Sequence, residues 1–519
     1  MAGFADVVLR GLALSGQALA VGGVLFALLV LRSAETSAAR PWCRVWTFAA
    51  FGAAAVAATK ILLLGVVGAA VGADPVHVLR PLLATTFAQA SLVRIVAATV
   101  LTVVALRARR RPPTPAWWGV ALAACLALVL GAATTSHGVA RLEHRAFLTA
   151  VGAIHQVAAA AWIGGLAHLM VALPGLPDDR RRAVVLRRFS TLALVSVIVL
   201  IAGGIGLTRE YIDGVPAVVG TAYGLMVLTK VLMLIGLLGL GALNFFAVRR
   251  LADGSAPLPR LRRFIEVEFG LGITVLFAAA SLTSLPPAVD VVVDRATFSE
   301  VAARFTPQWP RLSSPSISEL PVDDRYAPRT DADRAWSEFN HHVSGLFVLA
   351  MGGLALLHVV GGVRWARHWP LVLLGLAGFM LVRNDPGAWP LGPQGFWASM
   401  TEPSVLQHRV FVLLVVVFAI FEWTVRTHRP HASRAALVFP ILCAVGGGLL
   451  LTHSHASLNL KTEFLTEVTH APLGVLGVAI GWARWLELRL GTPDDRIPSR
   501  VWASALAVFG VLLLLYRES

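Results

Sequence analysis

Residues 192–207 read LALVSVIVLIAGGIGL, a run with no charged side chain and no proline. Comparable apolar blocks occupy 21–31, 410–423 and 501–515. Lipid offers backbone N–H and C=O groups no partners, so a run of this kind must bond internally, as a helix does. A bilayer core of about 30 Å needs roughly 20 such residues per helix, and that length rule gives about 14 candidate spans along the chain. They lie near 7–31, 45–72, 80–106, 116–136, 146–173, 188–208, 218–248, 264–285, 340–361, 368–382, 405–427, 435–452, 464–486 and 500–516. The predicted fold is all-α, a polytopic transmembrane helical bundle. Composition agrees, because 57% of the residues are hydrophobic, mean hydropathy is +0.73 and only 14% are charged. A soluble chain carries about a quarter charged residues.

The net charge of +15 does not indicate nucleic acid, because the basic residues gather in alternate short loops. One set holds Arg107 and Arg109–Arg111, then Arg180–Arg182, Arg187 and Arg188, then Arg249, Arg250, Arg260, Arg262 and Arg263. Arg364, Arg367, Arg426, Arg429 and Arg434 continue the same side, and the positive-inside rule makes it cytoplasmic. Both termini, the loops 137–145 and 453–462, and the stretch 286–339 then face the periplasm. That stretch is rich in Pro, Ser and Asp and reads as a partly ordered linker. The predicted organisation is 1–145 for the N-terminal spans, 146–285 for a second membrane domain, 286–339 for the linker and 340–519 for a His-rich membrane domain. The apolar stretch from Val7 to Leu31 is longer than the ~7–15 residues of a signal core, so it reads as the first span. Cys43, Cys125 and Cys443 stand alone and suggest neither a disulfide framework nor a thiolate metal site.

A parallel internal repeat is expected between spans 1–6 and 9–14. TTSHGVARLEHRAFLTAVGAIH (134–155) aligns with THSHASLNLKTEFLTEVTH (452–470) through a Ser-His, a loop, Phe-Leu-Thr and a later His. Upstream, LVRIVAATVLTVVAL (92–106) lies against QHRVFVLLVVVFAIF (407–421), which pairs Arg94 with Arg409.

Histidines mark the candidate chemistry. His137, His155, His341, His342, His408, His453, His455 and His470 fall in the outward halves of spans or their loops, and His168, His358, His368, His428 and His431 toward the other side. Imidazole ligates copper, zinc, iron and nickel. Taken singly, each is more simply an interfacial histidine bonded to backbone or water; as a set they suggest a shared metal. His453, His455 and His470 form one expected group, and His341 with His342 could supply another. Methionines are too few for a soft-ligand funnel, so imidazole would do the binding. Lys60, Arg94 and Lys230 fall within or near the ends of spans, whereas Glu266, Glu268 and Glu422 read as near helix ends. The glycines Gly164, Gly165, Gly203, Gly204 and Gly206 most simply allow close helix packing.

The run AIHQVAAAAWIGGLAHL (153–169) resembles the CopD signature of a His, small residues and Trp-x-Gly-Gly-Leu. Arg188-Phe189-Ser190 opening a span, and GTAYGLMVLTKVLMLIGLLGLGALN (220–244) with its Thr-x-Tyr-Gly, Lys and Asn, are similar to that family in the same order. The likeness covers about 145–250, with a looser one over the first four spans. It implies a bacterial inner-membrane protein of copper homeostasis, which moves copper inward or takes it from periplasmic carriers, with Cu(I) or Cu(II) left open. It points to His155, Trp162, Gly164, Gly165, Tyr223 and Lys230. No segment reads as the CopC β-sandwich often fused in the family, so a separate CopC-like periplasmic carrier is expected. No Walker motif, transport-ATPase DKTGT or catalytic triad signature is present, and no enzyme is expected. Two alternatives stand beside copper transport. One is a b-type cytochrome, disfavoured because His155 and His168 are roughly 220° apart around one helix at ~100° per residue. The other is a copper-binding sensor or scaffold that moves no ion.

Overall fold

The computed structural model describes residues 2–32, 39–71, 75–252, 258–320, 330–428, 433–452 and 461–518. Among them no strand occurs, and 14 helices are long and apolar enough to cross a membrane. In chain order these are α1 (Phe4–Leu31), α2 (Arg40–Ala69), α3 (Thr86–Ala108), α4 (Pro115–Ala133), α5 (Arg145–Gly175), α6 (Asp179–Tyr211) and α7 (Ala222–Arg250). Then follow α8 (Leu258–Leu282), α9 (Asp331–Val359), α10 (Arg364–Arg383), α11 (Val405–His428), α12 (Arg434–Thr452), α13 (Lys461–Arg489) and α14 (Arg496–Leu514). The molecule is an all-α polytopic membrane bundle.

Several helices begin well before their apolar runs, because capping residues start them. The Asp178 side chain accepts from the Arg181 N–H at 2.7 Å, and Thr330 forms a capping box with Asp333. Such caps satisfy N–H groups that have no partner inside the helix. Hydropathy registers only the apolar body, so α6 and α9 run about two and a half turns beyond their expected starts.

The chain forms two compact units, the first comprising Met1–Arg295 with, among the described residues, Leu451 and Thr452, and the second Ala296–Leu450 with the described residues from Lys461 on. In the first, α1 packs against α2, α5 and α8, so the helices before and after residue 145 share one core. The α1–α5 crossing is tight enough to demand glycine. A β-carbon built on Gly164 would lie 1.9 Å from the Ala18 carbonyl oxygen, and one on Gly22 would lie 2.3 Å from that of Ala160. Helix α6 is by contrast almost wholly at the periphery. In the second unit α9 packs along α14, where Gly352 meets the backbone of Ala507 and Gly510 meets Leu349. Trp369, Phe439, Ile480 and Trp502 centre its core.

Described residues of the stretch 286–339 are held by side-chain contacts. Arg295 ties its first part to the first unit, bonding Asp213 at 2.9 Å and the Ala288 carbonyl at 2.8 Å. Beyond it, Thr297 and Glu300 cap a helix at Phe298–Phe305, which belongs to the second unit. Lys461 grips Glu300 at 2.6 Å.

Candidate functional site

In the first unit, α5 carries the polar groups inward. Its regular turns widen into a π-helical stretch at Ala160–Gly164, a feature that re-aims side chains and often marks functional sites. Trp162 sits in that stretch and donates its Nε1–H to Glu268 Oε1 at 2.8 Å. Asn244 Nδ2 on α7 donates to the other carboxylate oxygen at 2.5 Å. Glu268 is therefore not at a helix end, as the sequence suggested; because α8 begins at Leu258, it lies well inside the helix, buried among three helices. Beside it is a cavity of about 270 Å³ lined mainly by leucine, valine and phenylalanine, with Ser190, Asn244 and Glu268 as its polar points. Gly165 admits Phe189 to the same place, since a β-carbon there would lie 2.5 Å from the Phe189 ring.

A second buried chain spans α3, α1 and α5. Arg94 donates to Gln17 Oε1 at 2.9 Å, and Gln17 donates to Gln156 Oε1 at 2.9 Å. Gly131 leaves room for the Arg94 stem. Next to Gln156, His155 faces Gly203 and Gly204 of α6, and its Nδ1 is buried with no partner. Lys230 is near enough to act on this ring electrostatically.

The Thr-x-Tyr-Gly motif folds the end of α7. Thr221 Oγ1 accepts the Gly224 N–H at 3.0 Å and donates to the Ala217 carbonyl at 2.6 Å. Gly224 lets the short helix Val215–Gly220 fold back, because a β-carbon would lie 2.3 Å from the Ala217 oxygen. Tyr223 then packs edge-on against Tyr211 and His137. His137 Nε2 donates to the Leu282 carbonyl at 3.0 Å, leaving Nδ1 with the lone pair. His168 is fully buried, with Nδ1 bonded to the Gly164 carbonyl at 2.7 Å. A β-carbon on Gly23 would lie 2.6 Å from its Nε2, so that nitrogen faces packed backbone.

In the second unit two of the predicted histidines come together. His341 of α9 and His470 of α13 have ring centres 6.2 Å apart, and both contact Tyr516, which stacks on His341 at 3.8 Å. Each bonds Nδ1 to the carbonyl four residues back, Ser337 or Thr466, at 2.8 Å. A carbonyl accepts only N–H, so the neutral tautomer of both rings carries its lone pair on Nε2, the atom a metal would take. Two imidazoles ligating one ion at about 2 Å place their centres no more than about 6.4 Å apart, and this pair lies within that reach. Glu518 adjoins them, accepting from Ser337 at 2.5 Å and Tyr516 at 2.8 Å.

The remaining candidates stand apart. His342 Nδ1 accepts the Arg311 N–H at 2.7 Å and its Nε2 donates to the Tyr516 carbonyl at 2.8 Å, so neither nitrogen has a lone pair to offer. His408 bonds Asp385 at 2.7 Å. Arg409, aligned with Arg94 in the sequence, bonds the Leu381 and Trp389 carbonyls, whereas Arg94 meets a glutamine. His453 and His455 lie outside the described residues. Among the described residues no three His, Cys, Asp or Glu side chains converge to hold a metal. Sequence reasoning missed Gln17, Gln156, Tyr516 and Glu518, which carry no motif and are recognisable only by what folding places beside them.

A membrane bundle with acidic, amide and imidazole groups inside its spans belongs to the class that handles ions or protons, because such groups are expensive in lipid. Residues 183–282, which run through α6, α7 and α8, match the family described as Copper resistance protein D. A stretch of 173 residues, 33% of the chain, is 31% identical to the copper transport protein CutJ of Bacillus subtilis (strain 168). It covers 31% of that protein's length. No solved structure matches the chain.

Proposed function

We propose that this protein takes copper at imidazoles on the periplasmic face of the inner membrane and moves it across. The observation that carries the reading is the CopD match at 183–282, with the copper transport relative in support. Copper is the cargo here. His341 and His470 are the residues best arranged to receive it, since both are held in the tautomer that presents Nε2. A CopC-like carrier would deliver it, and the arginine-bearing loops would face the cytoplasm, with both termini periplasmic. Transport with no chemical conversion fits the family, so no enzymatic step is assigned. Against the cytochrome alternative, His168 is an unsuitable axial ligand, because its Nε2 lies close to Gly23.

The test is copper uptake by liposomes containing the whole chain, alongside the His341→Ala/His470→Ala double variant. Wild-type uptake that falls at least tenfold in the variant supports the reading. Copper binding with no uptake by the wild type would leave a sensor or scaffold in its place. A C-terminal reporter active only in the cytoplasm tests orientation, and activity from it would reverse the assigned topology.

A further inference from the structure

Glu268 is an acidic group that copper binding at imidazoles leaves unused. Its side chain is buried to 3% exposure inside the membrane-spanning part of the first unit. Both oxygens are bonded, but the donors Trp162 and Asn244 are neutral. The charged groups on the surrounding helices are engaged elsewhere. Glu266, on its own helix, takes Arg262 and Arg263; Arg10 of α1 takes Asp6; Lys230 of α7 adjoins His155; and His168 of α5 bonds Gly164. Arg249 and Arg250 follow Asn244 by less than two turns, but both are exposed at the end of α7, with Arg249 turned over the Phe245 ring. None of these makes an ion pair with Glu268 among the described residues. An isolated carboxylate beside a cavity lined by leucine, valine and phenylalanine is unstable, and such groups neutralise or receive a cation.

A second observation comes from Asn244. Its Oδ1 is buried, with no hydrogen-bond partner, and the residue lines the same cavity. Rotating the amide cannot relieve this while Glu268 is ionised, because two oxygens would then face each other. Protonation of Glu268 removes the conflict. The rotated Asn244 Oδ1 then accepts the new O–H, and both buried acceptors are satisfied. The pair thus has two hydrogen-bonded arrangements that differ by one proton.

We propose that Glu268 is a proton-binding site switched by Asn244, and that the unit exchanges this proton for the cation it passes. The exchange rests on the copper-transport reading, whereas the proton site does not. As a cation approaches, the Glu268 O–H bond breaks, the proton leaves to water on one side, and the carboxylate balances the incoming charge. When the cation departs, the carboxyl takes a proton back. One proton is exchanged per turnover, and nothing is oxidised or reduced.

Infrared difference spectroscopy on the whole protein in liposomes tests the site without copper. Raising pH should remove a protonated-carboxyl C=O band from the wild type; that band should be absent in Glu268→Gln and shifted in Asn244→Ala. A wild type with no titrating carboxyl band, or the same band in Glu268→Gln, overturns the proton site. Asn244→Ala keeps the question open to measurement if Glu268→Gln does not fold. A dye reporting lumen pH during copper addition tests the exchange: proton movement should fall at least tenfold in Glu268→Gln. Unchanged proton movement overturns the coupling. A titrating band in a wild type that moves no copper would sink the transport reading while upholding the site.

Discussion

His341 and His470 each give Nδ1 to a carbonyl at 2.8 Å, whereas His342, one residue away, has backbone partners on both nitrogens. Neighbouring imidazoles therefore have separable roles. His341→Ala or His470→Ala should weaken copper binding at least tenfold in equilibrium dialysis. His342→Ala should leave binding unchanged but lower stability by about 1–3 kcal/mol, because it strands two buried backbone groups. Glu300 offers a pH prediction. The Lys461 ammonium and the Thr297 N–H hold its carboxyl at about 2, below the ordinary 4.5. A depressed carboxyl stabilises the fold above its unfolded value and loses that contribution as pH falls. Amide protection in Phe298–Phe305, taken relative to the intrinsic exchange rate at each pH, should thus fall as pH drops from 4.5 toward 2, and Glu300→Gln should flatten the dependence. Both members of the proposed copper pair were legible as candidate ligands, but in different groups, His470 with His453 and His455, and His341 with His342. Nothing in the spacing of positions 341 and 470 says that α9 and α13 present them to the same tyrosine. Glu268 was misplaced for a related reason, since an apolar run does not register the polar turns that begin α8.

At the scale of elements, apolar length was enough to find the helices, while their contacts depended on single small residues. Gly164 illustrates this, with the Ala18 carbonyl where a side chain would go. Gly164→Leu should cost at least about 3 kcal/mol by thermal unfolding in detergent, because the obstruction is backbone and cannot rotate away. Gly152 on the same helix has nothing within 4 Å of a built β-carbon, and Gly152→Ala should change stability by less than about 0.5 kcal/mol. Equal effects would mean that the crossing does not hold α1 against α5. The Trp-x-Gly-Gly signature thereby acquires physical content: a glycine for helix approach, another for Phe189, and a tryptophan turned onto Glu268 by the π-helical stretch. That widened turn left no mark on hydropathy, which averages over it.

Across the whole molecule, the chain forms two units, and the residues of greatest interest divide between them. The first holds the CopD match and the buried carboxyl; the second holds the His341–His470 pair. Copper capture then belongs to one unit and charge exchange to the other, so the His341 and His470 variants should lower equilibrium copper binding whereas Glu268→Gln should leave that binding in place while stopping proton movement. The most direct test of copper handling is metal content and the optical spectrum of one detergent-purified sample, before and after copper is added. Near-stoichiometric copper with no Soret band, reduced in the His341→Ala/His470→Ala variant, is the predicted result. A strong Soret band with little copper would contradict it and make the protein a haem-binding cytochrome.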